Sequence, residues 1–267
     1  MQTDVSTLIV DGVTVDLCWM RRGGSRPPVL CLHGFGSTKE DYADLALFPG
    51  FEDRDLVFWD APGCGQSTVS DPTVLSIPFL VSVTQAACAH LGIERFHVVG
   101  HSMGGLTALL FAAAAPERVL SFFNIEGNIA PEDCFLSRQI VDFPAETPEA
   151  FLRDFLARVK DRPEFCVPLY ARALPLKVQT TTVAPIFRSM VAISDTQPLM
   201  QIYADLPFPK AFVYGAQNRQ LSYLGQLPDL GVAVIEIAHS AHFPMYSNPP
   251  ALWSALAGFI DRAEAAA

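Results

Sequence analysis

The sequence has little positive charge and few charged residues of either sign. Only 17% of its 267 residues are charged, and 28 acidic against 18 basic residues give a formal net charge of −10. The longest basic run is the pair Arg21-Arg22. Nucleic acids and anionic membrane surfaces attract basic proteins, so we expect neither as a partner. The composition leaves a small molecule as the expected ligand and says nothing of oligomeric state.

Cysteine is sparse and scattered, with six residues and no Cys-x-x-Cys pair. This pattern is typical of reduced thiols that pack in a core. His239 and His242 have the spacing of a metal pair, but no carboxylate or cysteine lies at ligand spacing, so we expect no metal. The segment from Met1 to Asp4 has no basic region followed by an apolar one. We therefore expect no signal peptide and a cytoplasmic location.

Long membrane-type hydrophobic runs and cofactor motifs are also missing. Residues 72–89 carry no charge, but Pro78 and Gln85 interrupt them, so we interpret the stretch as a buried helix. No Gly-rich phosphate loop or dinucleotide fingerprint occurs. We therefore expect no cofactor.

What the sequence does contain is a serine between two glycines, Gly100-x-Ser102-x-Gly104. The apolar run Phe96–Val99 before it predicts a buried strand, and the Ala/Leu-rich residues 103–115 after it predict a helix. Small residues are needed on both sides of such a tight strand-to-helix turn, because side chains there would clash. The pattern predicts a serine hydroxyl raised above a sheet, with a helix N-terminus beneath it. A glycine-rich helix entry without catalytic function is the alternative.

Strands alternate with helices over most of the chain, which is typical of an α/β fold with a mostly parallel sheet covered by helices. The alternation stops after the sixth predicted strand, and resumes near residue 211. We therefore predict one core formed by residues 1–127 and 206–267, with a helical cap at 128–205. The predicted strands are 8–10, 13–17, 28–32, 56–59, 96–99, 119–125, 211–215 and 232–237.

The predicted cap consists of helical pieces interrupted by proline. We interpret it as a lid over the site, and a purely structural helical subdomain is the alternative. Most of its large apolar residues should form its own core, while a few line an apolar cavity. The residues considered for both roles are Phe135, Phe143, Phe151, Phe155, Tyr170, Phe187, Met190, Met200 and Tyr203.

Four motifs, in this order and at these separations, resemble the α/β-hydrolases that carry a cap domain. The resemblance covers nearly the full length and implies the α/β-hydrolase fold. The motifs are His33-Gly34-Phe35-Gly36, Asp60-x-Pro62-Gly63-x-Gly65-x-Ser67, Gly100-His101-Ser102-Met103-Gly104-Gly105 and His242-Phe243-Pro244.

A serine hydroxyl needs an imidazole to accept its proton during attack. Four histidines lie in turns or at element ends, where packing or hydrogen bonding is the expected role: His33, His90, His97 and His101. His239 and His242 remain, in the loop before the last helix. The resemblance implies His242, because the family's catalytic histidine precedes Phe-Pro in that loop.

The third member of the triad departs from the common family pattern. Where the family usually has an aspartate, this chain has Asn218, which carries no charge to support an imidazolium. Some family members place the acid after the strand that follows the elbow helix, and Glu126 stands there. The alternatives are that Glu126 pairs with Arg138 or faces solvent, with Glu132 and Asp133 as fallback acids.

The oxyanion of a tetrahedral intermediate needs two backbone donors. The position after the nucleophile implies the N–H of Met103, and the resemblance implies the N–H of Phe35 as the second.

Together these features predict a serine hydrolase that cleaves a small to medium, partly apolar ester or lactone through an acyl-enzyme. The same triad would also serve a carbon–carbon bond hydrolase or a cofactor-free perhydrolase, and a hydrolase-like ligand receptor is a third alternative. Haloalkane dehalogenases and epoxide hydrolases of this fold use an aspartate at the elbow, so Ser102 argues against both.

Overall fold

The computed structural model describes residues 1–266, which form one mixed sheet covered by helices. The strands are β1 (Gln2–Val10), β2 (Val13–Arg22), β3 (Arg26–Leu32), β4 (Arg54–Trp59), β5 (Thr68–Val69), β6 (Phe96–His101), β7 (Val119–Ile125), β8 (Lys210–Gly215) and β9 (Ala233–Ile237). They are ordered β1-β2-β4-β3-β6-β7-β8-β9, and the short β5 pairs with β2. The sheet is parallel from β4 to β9 and antiparallel only around β1 and β2. This is the α/β-hydrolase arrangement that the sequence predicts.

The helices follow the alternation predicted for the core and crowd together between β7 and β8. They are α1 (Ile77–His90), α2 (Met103–Ala114), α3 (Gln139–Asp142), α4 (Pro148–Val159), α5 (Val167–Lys177), α6 (Thr180–Thr196), α7 (Leu199–Ala204), α8 (Pro244–Ser247) and α9 (Pro249–Ala265). In the described part of the chain, α3 to α7 occupy the interval between β7 and β8 with no strand among them. The one strand-like contact of this interval is an isolated bridge between Cys64 and Val178.

The central strands are apolar because helices cover both of their faces. Every residue of β4 and β6 is buried, which explains the continuous apolar runs in the sequence. Since β6, β7 and β8 are parallel, their carboxyl ends meet at one edge of the sheet. Ser102 follows β6, Glu126 follows β7, and Gly215 ends β8. The topology therefore gathers these three residues at a single edge.

Three local features differ from the sequence prediction. Strands β1 and β2 extend well beyond the predicted 8–10 and 13–17, because β1 lies at the sheet edge and its polar residues remain exposed there. The charge-free stretch begins with a 3-10 turn at Pro72–Val74, and its α-helix starts only at Ile77. The short strand β5 is not predicted from the sequence. With it included, the helical interval comes after the seventh strand, whereas the prediction places it after the sixth.

No helix in residues 1–266 is long and apolar enough to cross a bilayer. The six cysteines are free, and five of them are buried.

A buried ion pair holds the loop after β4. The Lys39 ammonium lies 2.8 Å from Asp60 Oδ2, and both side chains are fully buried. The other Asp60 oxygen accepts from the backbone N–H of Lys39 at 2.9 Å, while Oδ2 also accepts from the N–H of Gln66 at 2.9 Å. A buried charge is tolerated only when it is paired and hydrogen-bonded in this way. The motif Asp60-x-Pro62-Gly63 therefore shapes the loop around the site.

A second charged cluster joins the C-terminal helix to the amino-terminal edge of the sheet. The fully buried Arg54 guanidinium donates to Glu264 Oε1 at 2.7 Å and to Asp261 at 2.9 Å, and Arg26 pairs with Glu264 as well. Burial alone would raise the pKa of Glu264, but the hydrogen bonds from Arg54 and Arg26 outweigh it and lower the pKa to about 2. Burial lowers the pKa of the adjacent His97 to about 4.

The Glu264 pKa predicts a loss of stability in acid. As pH falls from about 4.5 to about 2, the unfolded chain binds a proton at Glu264 before the folded chain does, so the free energy of unfolding decreases. Glu264→Gln should be less stable than the parent at pH 7 and lose less stability below pH 4.5. Urea unfolding at a series of pH values measures both effects. The exposed Glu146→Gln serves as control, and an acid dependence of Glu264→Gln equal to the parent's would contradict the prediction.

Candidate active site

Ser102 stands on a strained turn between β6 and α2. Its backbone has φ 51° and ψ −118°, a conformation that residues with a side chain rarely adopt. A side chain at Gly104 would overlap the Leu32 carbonyl, and one at Gly100 would overlap Gly105. The N–H of Ser102 donates to the Ile125 carbonyl at 3.0 Å, which ties the turn to β7. The glycines are therefore required by close backbone approach, as the sequence predicts.

Glu126 and His242 are joined by a hydrogen bond. His242 Nδ1 lies 2.8 Å from Glu126 Oε2, and both side chains are almost completely buried. An ionised carboxylate only accepts, so Nδ1 carries the proton and leaves Nε2 unprotonated. Glu126 also has a positive φ of 44°, directly after β7. This arrangement orients an imidazole to accept a proton on Nε2.

Asn218 contacts the acid rather than the imidazole. Its Nδ2 donates to Glu126 Oε2 at 2.7 Å, while the backbone N–H of Gly215 donates to Oε1 at 2.8 Å. Both carboxylate oxygens are thus held by donors in addition to His242. Asn218 stands where the family usually has its aspartate, but here its amide is a donor that fixes Glu126.

Two further histidines brace the loops around the site. His101 Nε2 donates to the backbone carbonyl of His242 at 2.7 Å, and burial keeps the pKa of His101 well below its usual value. His33 Nε2 accepts from the N–H of Ala61 at 2.8 Å, and its Nδ1 donates to the Gly34 carbonyl at 2.7 Å. Burial lowers the pKa of His33 as well. Both imidazoles are therefore neutral hydrogen-bonding groups, the role expected for them from their positions in turns.

The predicted oxyanion donors lie beside Ser102. Met103 is the first residue of α2, and Phe35 lines the same cavity as Ser102. Among the described residues, neither backbone N–H donates to another protein group. A side chain at Gly34 would overlap His101, so only glycine lets the Phe35 loop approach the elbow this closely. Two unpaired amides next to a nucleophile are the requirement for an oxyanion hole.

A small cavity, the inner chamber, is lined by Ser102, His242 and residues of the segment between β7 and β8. Its volume is about 20 Å³, roughly the space of one water molecule. Among the described residues, no hydrogen bond forms between the Ser102 hydroxyl and His242, although both line the chamber. Apart from Ser102 and His242, the lining residues are Phe35, Asp133, Phe135, Leu136, Ser137, Tyr170, Phe187, Met190 and Phe243.

Of the aromatic and methionine residues considered for the cap, four line the inner chamber: Phe135, Tyr170, Phe187 and Met190. Phe143 lies half-exposed against Arg158, and Phe155 packs between Phe151 and Phe187. Phe135 places its ring edge against His242, with 5.0 Å between the ring centroids. Phe187 makes a similar contact with Phe35 at 4.7 Å. The helical segment thus supplies much of the chamber wall.

A larger cavity, the outer cavity, lies on the other side of Phe135 and Leu136. It has a volume of about 270 Å³ and contacts His242 and Glu126. Its charged lining residues are mostly acidic: Glu126, Glu132, Asp133, Glu164 and Arg162. Arg162 is paired with Glu164 at 2.6 Å, so its charge is already neutralised. The cavity is therefore unfavourable for an anionic group.

Asp133 anchors the wall between the two cavities. Its Oδ1 accepts from the Tyr223 hydroxyl at 2.6 Å, and its Oδ2 accepts from the N–H groups of Ile129 and Ala130 at 2.8 Å. Burial raises the pKa of Asp133 to about 6. Its oxygens are fully used by these bonds, and it makes no hydrogen bond to His242 in the described structure. Glu132 is similarly occupied by Ser222, so neither fallback acid takes the triad position.

The structure also shows where Arg138 and His239, the other residues considered for the site, are located. Arg138 pairs with Asp195 rather than with Glu126. His239 is exposed, with a positive φ of 55°, and lies apart from both cavities. Sequence reasoning missed Ser137 and Asp133 as chamber residues, because neither stands in a recognisable motif.

Comparison with known proteins gives partial relatives of several kinds. Over 120 residues the chain is 39% identical to the dihydrolipoyllysine-residue acetyltransferase component of the acetoin cleaving system of Cupriavidus necator, which is 42% of this chain and 29% of that protein. Over 151 residues it is 26% identical to a proline iminopeptidase of Lactobacillus acidophilus, covering 54% of this chain and 51% of that protein. The chain therefore spans at most about half the length of these relatives.

Solved structures match over almost the full length. A carboxylesterase structure from the thaumarchaeon Nitrososphaera gargenis has a TM-score of 0.77 at 14% identity and covers 98% of this chain and 100% of that one. An esterase from Thermogutta terrifontis has a TM-score of 0.75 at 17% identity, covering 97% and 99%. A putative epoxide hydrolase from Pseudomonas aeruginosa reaches 0.74 at 23% identity, covering 99% and 97%. At these identities the similarity shows the fold.

The family model for the alpha/beta hydrolase fold matches residues 27–164, which is just over half of the chain and includes Phe35, Ser102 and Glu126. Together with the sheet order and the strained serine turn, this match establishes that the chain belongs to the α/β-hydrolase family.

Proposed function

We propose that this protein is a serine hydrolase that cleaves a small to medium, uncharged, partly apolar carboxylic ester or lactone through an acyl-enzyme. The observation that carries the proposal is the 2.8 Å hydrogen bond between His242 Nδ1 and Glu126 Oε2, beside a serine that lines the same chamber as His242. A buried imidazole with an ionised partner on Nδ1 is the arrangement that activates a hydroxyl.

In the first half of the proposed reaction, Ser102 Oγ attacks the ester carbonyl carbon while His242 Nε2 takes the hydroxyl proton. The carbonyl oxygen becomes an oxyanion that accepts from the N–H groups of Phe35 and Met103. Glu126 stabilises the imidazolium. The intermediate then collapses, and His242 returns the proton to the departing alcohol oxygen, which leaves the acyl group on Ser102.

In the second half, a water molecule replaces the alcohol. His242 Nε2 removes its proton as the water oxygen attacks the acyl carbon, and the same two amides bind the new oxyanion. Collapse breaks the bond to Ser102 Oγ and returns the proton to it. The products are a carboxylic acid and an alcohol, and the enzyme is regenerated.

The two cavities suggest where each part of the substrate binds. The inner chamber contacts Ser102 and Phe35, so it suits the acyl group, while the outer cavity contacts His242 on the side where a leaving group would be protonated. The acidic lining of the outer cavity disfavours anionic leaving groups. The chamber's small volume favours short acyl groups.

The alternatives are less well supported. A ligand receptor without catalytic activity was suggested by the uncharged Asn218 at the position of the usual acid. Because Glu126 supplies a carboxylate that hydrogen-bonds to His242, the absence of an acid at position 218 no longer favours a receptor. The structural neighbour described as a putative epoxide hydrolase shares the fold. Epoxide hydrolases of this fold use an elbow aspartate, and Ser102 does not provide the required carboxylate.

The nucleophile can be tested directly by labelling. A fluorophosphonate should attach to Ser102, and p-nitrophenyl acetate should give a burst of p-nitrophenol followed by steady turnover. Ser102→Ala should abolish labelling and lower kcat by about three orders of magnitude or more. The exposed Ser25→Ala is the matched control and should label normally. Unchanged labelling of Ser102→Ala would disprove the assignment of the nucleophile.

Two substitutions distinguish the role of the Glu126 carboxylate from that of Asn218, which donates a hydrogen bond to it. Glu126→Gln should lower kcat by about 10³- to 10⁴-fold with little effect on folding, because the imidazolium loses its charged partner. Asn218→Ala should cost only about tenfold, because the carboxylate retains Gly215 and His242.

Steady-state kinetics on one ester, with circular dichroism to verify folding, measure this contrast. Near-normal turnover of Glu126→Gln together with severe loss in Asn218→Ala would show that Glu126 is not the acid.

The chamber volume predicts a preference for short acyl chains. The parent should hydrolyse p-nitrophenyl acetate with a higher kcat/KM than the octanoate. Met190→Ala enlarges the chamber and should raise the octanoate-to-acetate ratio of kcat/KM by about tenfold. Met200→Ala is the matched control, since Met200 lies in α7 and lines neither cavity. An equal change in both variants would contradict an acyl-binding role for the chamber.

A further inference from the structure

Ser137 lies in the turn between the short 3-10 helix Pro131–Cys134 and α3. The residue is 2% exposed, and its hydroxyl oxygen is buried without a hydrogen-bond partner. Its backbone carbonyl accepts from the N–H of Ile140 at 3.1 Å, so the main chain has a structural role that the hydroxyl does not share. Burying an unpaired hydroxyl is unfavourable, and native proteins rarely leave one without a reason.

The position of Ser137 suggests that reason. It lines the inner chamber together with Ser102 and His242. Two of the other polar residues are already engaged, since Asp133 accepts three hydrogen bonds and His242 Nδ1 donates to Glu126. Among the described residues that line the chamber, Ser137 is the one with a fully buried polar side-chain atom that makes no hydrogen bond.

We propose that Ser137 is a specificity-determining residue that hydrogen-bonds an uncharged oxygen on the acyl group of the substrate. This inference rests on the proposed ester hydrolysis and narrows its substrate class to short acyl groups with a hydroxyl, ether or keto oxygen near the scissile carbonyl. A purely hydrocarbon acyl group would leave the Ser137 hydroxyl unpaired, so an alanine would serve it better.

The surroundings define the chemistry of that oxygen. A carboxylate on an acyl group in the chamber would lie beside Asp133, which lines it, and be repelled, so the bonding group is neutral. The chamber's volume of about 20 Å³ matches a single oxygen-sized group rather than a chain, so the bonding oxygen lies within a few atoms of the carbonyl. The remaining wall is largely aromatic and aliphatic, with Phe187 and Met190 as examples, and accommodates the carbon part.

An isosteric pair of esters tests the proposal. p-Nitrophenyl methoxyacetate and p-nitrophenyl butanoate have acyl groups of the same length and differ by an ether oxygen in place of a methylene. Comparing the ratio of their kcat/KM values between parent and variant cancels the intrinsic reactivity of each ester. Ser137→Ala should lower the methoxyacetate-to-butanoate ratio by roughly threefold to tenfold, the size of one neutral hydrogen bond. Activity on the butanoate should be unchanged or higher.

A matched control distinguishes recognition from structure. Ser194 is a buried serine of α6 whose hydroxyl bonds to Asn128 at 3.1 Å, and it lines neither cavity. Ser194→Ala should leave the ratio of the two esters at the parent value, whatever its effect on total activity.

Stability gives a readout that does not depend on catalysis. Because the Ser137 hydroxyl has no partner, Ser137→Ala should melt at the same temperature as the parent or higher. Ser137→Cys keeps the size while weakening the donor, and should give an ester ratio between those of the parent and Ser137→Ala.

Three results would overturn the inference. A lowered melting temperature of Ser137→Ala would show that the hydroxyl holds a water or makes a structural contact instead. Hydrolysis of both esters with an unchanged ratio would reject the role of Ser137 and leave the proposed function intact. Failure of the parent to hydrolyse either ester would reject the proposed function and this inference with it.

Discussion

The site depends on how the Glu126 carboxylate is held. Three donors surround it: the imidazole of His242, the amide of Asn218 and the backbone N–H of Gly215. These donors replace the water that a carboxylate loses when it is buried in this way. Since they come from the loops after β8 and β9, the carboxylate after β7 ties three neighbouring strand ends together. The same contacts that support an imidazolium therefore also fix the edge of the sheet.

Two of the five non-glycine residues with a positive φ in the described chain lie at the strand ends beside the candidate site. Ser102 and Glu126 both have positive φ values, and neither is a glycine. Each is restrained by a backbone hydrogen bond from its own N–H to the adjacent strand, Ser102 to Ile125 and Glu126 to Val213. The fully buried parallel strands around them supply the packing that offsets this strain. A rigid core is thus a requirement for the geometry of the site and not only for stability.

The sequence predicts the features that depend on local pattern. Apolar runs reveal the buried strands, and the glycines around Ser102 reveal a close backbone approach. The length of the edge strand β1 is underestimated because its exposed residues show no regular alternation of apolar and polar side chains. Strand β5 has only two residues, which is too short for any such pattern. Asn218 shows why tertiary contacts escape such reasoning. Its residue type suggests an acceptor for the imidazole, but whether an amide donates or accepts depends on which group faces it, and here that is Glu126.

The two cavities lie beside this rigid site, and their walls determine the space next to His242. Asp133, fixed by Tyr223 from the core and by two backbone amides, holds the turn that places Phe135 between the chamber and the outer cavity. On the opposite side, Lys177 at the end of α5 lies 2.8 Å from Asp41 of the core. The helical segment is thus attached to the core by both of these contacts, and Phe135 is the most exposed of the large apolar residues that line the chamber. Phe135 therefore lines both cavities beside His242, whereas Ser137 lines only the inner chamber, so the two residues contact different parts of the site.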